Sequence, residues 1–234
     1  MSSGILRQTH LKDESETYLA KREELRRAEI ELRNQRERVA KLRRQLPKGP
    51  VVQDYEFQEG PLNLNDGDSP IQSVRLSQLF TGPDRPVVVY QFMYGKKQTQ
   101  PCPMCTSLID SLNGIAHHLA PNLDLAIVAA ADPAALRSHA RTRGWNRLRL
   151  LSAGSNSFKY DLGSEDKEGN QDSAISVFVR DDRQIRHFYT GHPWLARDIR
   201  ERGLDEINPV WNIMDLTPQG RGEFYAKLEY PKAA

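Results

Sequence analysis

The only two cysteines of this 234-residue chain, Cys102 and Cys105, are separated by two residues. An apolar run lies before them and an amphipathic one after them. The run before, residues 87–93, reads VVVYQFM and is rich in β-branched and aromatic side chains, which predicts a buried strand. A short basic and polar turn, KKQTQ, follows. The stretch TSLIDSLNGIAHHL after Cys105 has apolar residues at helical spacing. A strand, a turn and a Cys-x-x-Cys at the mouth of a helix together mark a redox-active pair.

The chemistry explains the placement. Thiolate is the reactive form of cysteine, and its ordinary pKa leaves little of it at neutral pH. A helix N-terminus presents unpaired N–H groups and a partial positive charge, both of which favour the anion. Cys102 is therefore expected to be the exposed attacker, and Cys105, one turn in, the resolving thiol. Lys96 and Lys97 are expected to add positive potential, and Pro103 suits an early helical position, where its missing N–H costs nothing. A zinc site would need a second ligand pair, and the chain has no further cysteine, so no metal and no cofactor is expected.

Around this pair the chain predicts an α/β fold. Residues 51–57 read as a first strand, and Asn65-Asp66-Gly67 can reverse a hairpin. Residues 74–80 read as a short strand turning into a helical turn. Residues 126–131 read as a parallel neighbour of the central strand, with the cysteine helix as crossover. A helix is predicted over 133–143, capped by Asp132 and ended by Gly144. Residues 148–151 are a short strand and 161–172 a charged loop. Residues 174–180 and 184–189 form an antiparallel hairpin around Asp181-Asp182. Residues 222–230 are expected to form a last helix.

Residues 1–48 form a separate part. Residues 9–46 contain no Gly or Pro and are dominated by helix formers. Leu11, Tyr18, Leu25, Leu32, Val39 and Leu46 recur every seventh residue, but the second coiled-coil lane is mostly polar. The stripe is expected to pack on the domain or on a second copy of the chain, and a homodimer through this helix is the expected assembly. This part carries 13 Lys/Arg against 8 Asp/Glu, and the remainder 20 against 23. Glu residues are interleaved throughout the helix, so nucleic acid is not expected as a partner. Pro47-Lys48-Gly49-Pro50 stops the helix, giving domains at 1–48 and 49–234. No apolar run is long enough for a bilayer, and the first residues lack the apolar core of a secretory signal. With one close cysteine pair and no wider disulfide framework, a cytoplasmic home is expected.

The pieces VVQDYEFQ, LSQLF, VVYQFMYG, CPMC, LNG, RGW, SVFVRDD and NIMDLTPQGRGE occur in order along about 220 residues. In this order the chain resembles the thioredoxin-like domain-of-unknown-function family number 899. The resemblance implies a thioredoxin-like fold, a central mixed sheet flanked by helices, with a long N-terminal helical extension and a C-terminal extension. It implies no settled reaction. Thioredoxins carry a proline just before the strand that follows the second helix, but DSAIS at 172–176 has none, which weakens the case for a general protein-disulfide reductase. Thr99 stands three residues before Cys102, as in the T-x-x-C of peroxiredoxins, where a threonine hydroxyl orients the peroxide.

The expected activity is thiol-disulfide exchange on a small-molecule or protein thiol or disulfide. Cys102 and Cys105 would be catalytic, with Thr99, Lys97, Pro103 and Trp145 in support. A peroxiredoxin-like thiol peroxidase, a scaffold protein and a soft-metal binder are the alternatives. His117 and His118 lie about 22 Å along the helix from Cys102 and cannot serve as its base, although one of them could be packed. His187, His192 and Tyr189 are weaker candidates. Asp215, Arg221 and Glu223 read as a salt-linked turn, Arg143 as a surface or helix-end cation.

Overall fold

The structure, a computed structural model, describes residues 9, 11–182, 184–197 and 202–231; residues 1–8 and 10 of the segment read as lacking a secretory signal lie outside them. Two compact units divide the chain, Met1–Pro47 and Lys48–Ala234.

In the first unit, α1 (Glu16–Arg44) is one helix of 29 residues. It starts later than the composition predicts. Asp13 takes a left-handed φ of 63°, which breaks the helical path, and Ser15 then caps the new start by accepting from the Tyr18 N–H at 3.2 Å. Lys41, Arg43 and Arg44 occupy the last turn, where cations complement the exposed carbonyls. Leu11, Tyr18, Leu25, Leu32 and Leu46 of the seven-residue stripe are exposed.

The second unit is built on one seven-stranded sheet in the order β2-β1-β5-β4-β3-β6-β7. The strands are β1 (Glu56–Glu59), β2 (Gln72–Arg75), β3 (Val87–Gly95), β4 (Asp124–Ala130), β5 (Arg149–Ser152), β6 (Ala174–Asp181) and β7 (Gln184–Gly191). β3, β4 and β5 run parallel, and β6 and β7 are antiparallel to their neighbours on the far side of β3. Parallel strands cannot be joined by a hairpin, so helices make the crossovers. α2 (Pro103–Leu119) joins β3 to β4, and α3 (Pro133–Arg143) joins β4 to β5. Two strand–helix units followed by a hairpin on the opposite side of the first strand make a thioredoxin-like fold.

β3 is covered on both faces, which is why its sequence is continuously apolar. Tyr90 and Phe92 pack with Leu108, Ile109 and Leu112 of α2 and with Leu136 and Ala140 of α3. Val87 and Val89 pack on the other face with Phe57, Phe158 and Phe178. α3 has the predicted ends: Asp132 accepts from the Ala134 N–H at 2.9 Å, and Gly144 closes the helix at φ 68°.

Two expectations are corrected. Val51 makes an isolated bridge to Arg186, and the first strand begins only at Glu56. Residues 222–230 form no helix. Gly220 and Gly222 take positive φ there, and the segment's backbone is bound from outside rather than to itself: Arg143 donates to the Leu228 carbonyl at 3.1 Å, and the Ala226 N–H meets Met104 Sδ at 3.1 Å. Among the described residues the C-terminal extension holds a 3-10 helix, Arg202–Ile207, and the α-helix α5 (Pro209–Met214), capped by Asn208. Among the described residues no helix is long and apolar enough to cross a membrane.

Candidate active site

The site is made where β3 ends and α2 begins. The Cys102 N–H donates to the Met93 carbonyl at 3.1 Å, which ties the cysteine loop back onto β3. Cys102 is the N-cap residue of α2, with extended backbone, and Pro103 holds the first helical position. Cys105 falls on the same helix face as Leu108, Ile109, Leu112 and Ala116, all buried, so the amphipathic stripe itself drives the second thiol inward. Both cysteines are free thiols and both are buried, at 5% and 3% exposure, which corrects the expectation of an exposed Cys102: the walls of the cavity over the helix start cover it as well.

Their environments push them apart chemically. A hydrogen bond from the Cys105 thiol is the largest influence holding the Cys102 pKa down, to about 6; burial opposes it, and the Cys105 and Met104 N–H groups and the Tyr225 hydroxyl add to it. Cys105 is pushed up, first by burial and then by its bond to Cys102. One sulfur thus holds the negative charge and the other the proton. The Tyr90 hydroxyl extends the chain of polar contacts from Cys105 to Ser173, and burial drives its own pKa upward.

Lys159 completes the surroundings. Its side chain is buried at 1% exposure, and its Nζ donates to the carbonyls of Phe92 at 3.3 Å and Asp172 at 3.4 Å. Burial lowers its pKa to about 8, and acidic groups nearby, Glu165 and Asp172 among them, act in the opposite sense.

A mostly apolar cavity of about 140 Å³ opens at the two sulfurs. Tyr90, Met104, Leu108 and Ser173 form its floor and sides, and the C-terminal extension contributes Trp194, Leu204, Trp211 and Tyr225. Arg221 fixes Trp211 by stacking its guanidinium 5.2 Å from the ring centre, while pairing with Asp205 at 3.1 Å and Asp215 at 3.3 Å. The salt-linked turn expected at Asp215 and Arg221 therefore supports a cavity wall; Glu223 is exposed.

Other expected participants lie elsewhere. Thr99 is exposed and does not line the cavity. Lys97 is exposed and acts on Asp166, while Lys96 is paired with Glu165. Trp145 is fully buried in the core, its indole N–H donating to Asp110 at 2.7 Å, and Arg143 grips the same carboxylate. His117 and His118 are both exposed, so neither is packed. His187 is bound to Thr190 at 2.7 Å, and neither it, His192 nor Tyr189 lines the cavity. Residues that sequence reading passed over are Tyr90, Lys159, Ser173, Trp211 and Tyr225. Only Lys159 gave a signal, a lone cation between Phe158 and Tyr160.

The model of the family described as "Bacterial protein of unknown function (DUF899)" matches residues 7–233. The chain belongs to the DUF899 family. No curated protein matches this DUF899 chain. Among solved structures it is similar to the reduced 2-Cys peroxiredoxin of Plasmodium vivax, at 14% identity and a TM-score of 0.48, over 72% of this chain and 96% of that one. It is also similar to the peroxidoxin BcpB of Mycobacterium tuberculosis, at 17% identity and a TM-score of 0.45, over 72% and 98%. The fold of this DUF899 member rests on its own strand order and register.

Proposed function

We propose that this protein is a dithiol–disulfide oxidoreductase in which Cys102 attacks and Cys105 resolves. The observation that carries the reading is the shared hydrogen bond between the two thiols, with Cys102 as its ionised member, at the floor of an apolar cavity. The Cys102 thiolate attacks the electrophilic atom of an oxidant, and that bond breaks. Cys105 then displaces the product from Cys102, and the pair closes as a disulfide. An external dithiol reopens it by exchange. Burial keeps the Cys105 thiol protonated until Cys102 no longer carries negative charge, so the order of the two steps follows from the pKa split.

The test is a redox titration in thiol–disulfide buffers, read by the mass of alkylated protein. Wild type should show one two-electron transition, absent from both Cys102→Ser and Cys105→Ser. Cys105→Ser should also accumulate a stable mixed disulfide on Cys102. Undiminished exchange in Cys102→Ser, or a dithiol that never closes, would remove the reading.

A further inference from the structure

The cavity over Cys102 is more selective than thiol exchange requires. Pro193, Trp194, Leu204, Asn208, Trp211 and Tyr225 wall it, and Cys102 is only 5% exposed, which leaves little surface at the sulfur for a polypeptide backbone. The volume is about 140 Å³, and a dry apolar cavity of roughly 150 Å³ holds one benzene molecule. A ligand of about six heavy atoms is thus the size that fits.

The polar groups of the walls narrow the chemistry. Trp211 lines the cavity at 7% exposure, and its indole N–H has no hydrogen-bond partner among the described residues. A buried donor left unpaired costs about 1–3 kcal/mol, and native structures rarely tolerate it without a reason. Indole N–H is a donor only, so the missing partner is an acceptor atom. The Tyr225 hydroxyl, bonded to Cys102, is a further donor in the same cavity. Fixed donors of this kind stabilise an oxygen anion well. They favour an alkoxide over a departing thiolate, because the oxygen anion concentrates its charge on a smaller and better acceptor.

We infer that the oxidant of the Cys102–Cys105 pair is a small apolar organic hydroperoxide, bound in the cavity between Leu204, Leu108 and the Trp211 indole N–H. This rests on the dithiol reading above and adds the substrate class to it. The Cys102 thiolate attacks the terminal oxygen of R–O–O–H. An S–O bond forms, the O–O bond breaks, and the alkoxide leaves. It takes up a proton to become the alcohol, and Cys102 is left as a sulfenic acid. Cys105 sulfur then attacks Cys102 sulfur. The hydroxyl leaves with the Cys105 proton as water, and the disulfide is complete. One hydroperoxide becomes one alcohol and one water, two thiols become one disulfide, and a dithiol reductant such as dithiothreitol restores the pair.

Reduced full-length protein is mixed separately with tert-butyl hydroperoxide, hydrogen peroxide, hydroxyethyl disulfide and oxidised insulin, and disulfide closure is followed by mass. tert-Butyl hydroperoxide should close the pair about 10-fold faster than any of the other three, a difference of about 1.4 kcal/mol in the barrier. Trp211→Phe should slow that reaction by roughly 10- to 100-fold, the scale of losing one donor to a developing oxyanion. Its Cys102 should still alkylate, which reports an intact thiol site. Should Trp211→Phe fail to fold, Leu204→Phe serves instead: it fills the cavity and should collapse the preference for tert-butyl hydroperoxide over hydrogen peroxide. If the pair closes with hydrogen peroxide or either disulfide as fast as with tert-butyl hydroperoxide, the inference is overturned and the dithiol reading stands. If no oxidant closes the pair, the dithiol reading falls with it.

Discussion

Lys159 donates from its buried Nζ to the main-chain carbonyl of Phe92 across 3.3 Å, within electrostatic reach of the Cys105 thiol. An ammonium group removed from water keeps its proton less firmly, and here the pKa falls to about 8. Between pH 8 and the unfolded value of about 10.4 the unfolded chain therefore binds more protons, and stability contributed by this residue rises with pH. Below pH 8 both states are protonated and the folded state bears the full penalty. We expect wild type to gain up to about 3 kcal/mol on Lys159→Met across that window. Urea unfolding of both proteins at pH 7.5 and 10 measures it; a constant difference between them would show that Lys159 stays charged.

Cys102 should behave as an acidic thiol. Its rate of alkylation by iodoacetamide should rise with a midpoint near pH 6, because only the thiolate reacts. Cys105→Ala removes the strongest of the stabilising hydrogen bonds, so the midpoint should move upward in that variant. Peptide mapping should find the label on Cys102, with Cys105 unreactive because it keeps its proton. A wild-type midpoint at the ordinary value near 8.5 would contradict the assigned charge.

Gly95 ends β3 where the chain turns toward the cysteines. Its φ is 105°, and a Cβ placed there would lie 2.1 Å from the Ala131 nitrogen, a main-chain atom that cannot step aside. Gly95→Ala should therefore cost more than about 3 kcal/mol, from the strained backbone and the clash together. Thermal or urea unfolding reads the loss directly, and a change under 1 kcal/mol would place the turn elsewhere.

The exposed stripe of α1 is proposed to pair with a second copy of the chain. Leu25 and Leu32 are 58% and 55% exposed on a helix that buries none of its residues. The double change Leu25→Glu, Leu32→Glu should convert dimers to monomers in sedimentation without altering Cys102 alkylation. Sedimentation as a monomer by wild type itself would refute the pairing.

Arg137 holds the loop between β1 and β2. It is 3% exposed and donates to the carbonyls of Pro61, Asn63 and Gly67 as well as to Asp68 at 3.1 Å. Arg137→Met removes the buried guanidinium that ties these three carbonyls and Asp68 together, and a loss of about 1–3 kcal/mol in unfolding free energy is expected. A neutral result would mean that water replaces the guanidinium.

Much of the site was legible in sequence because its parts are local. A Cys-x-x-C pair after an apolar strand sets the thiols at a helix start, and Pro103 and the stripe Leu108, Ile109 and Leu112 set Cys105 on the core face of the helix. Thr99 shows the limit of that reasoning: it has the right spacing before Cys102, yet the turn of residues 96–101 leaves it in solvent. Spacing specifies neighbours along a chain, and a turn can aim a side chain either way.

By itself, then, the amino-acid order determined the strand, the helix, the order of crossovers and the inequality of the two thiols, since these follow from periodicity, caps and the helix end. Only the tertiary structure decided what surrounds the sulfurs. Tyr90, Lys159 and Ser173 reach them from β3, α4 (Phe158–Asp161) and the start of β6, and Trp211 and Tyr225 from more than 100 residues downstream. Their positions depend on the closing of long loops and on contacts such as Arg221 over Trp211, and no local pattern encodes which distant side chains a fold brings to one cavity.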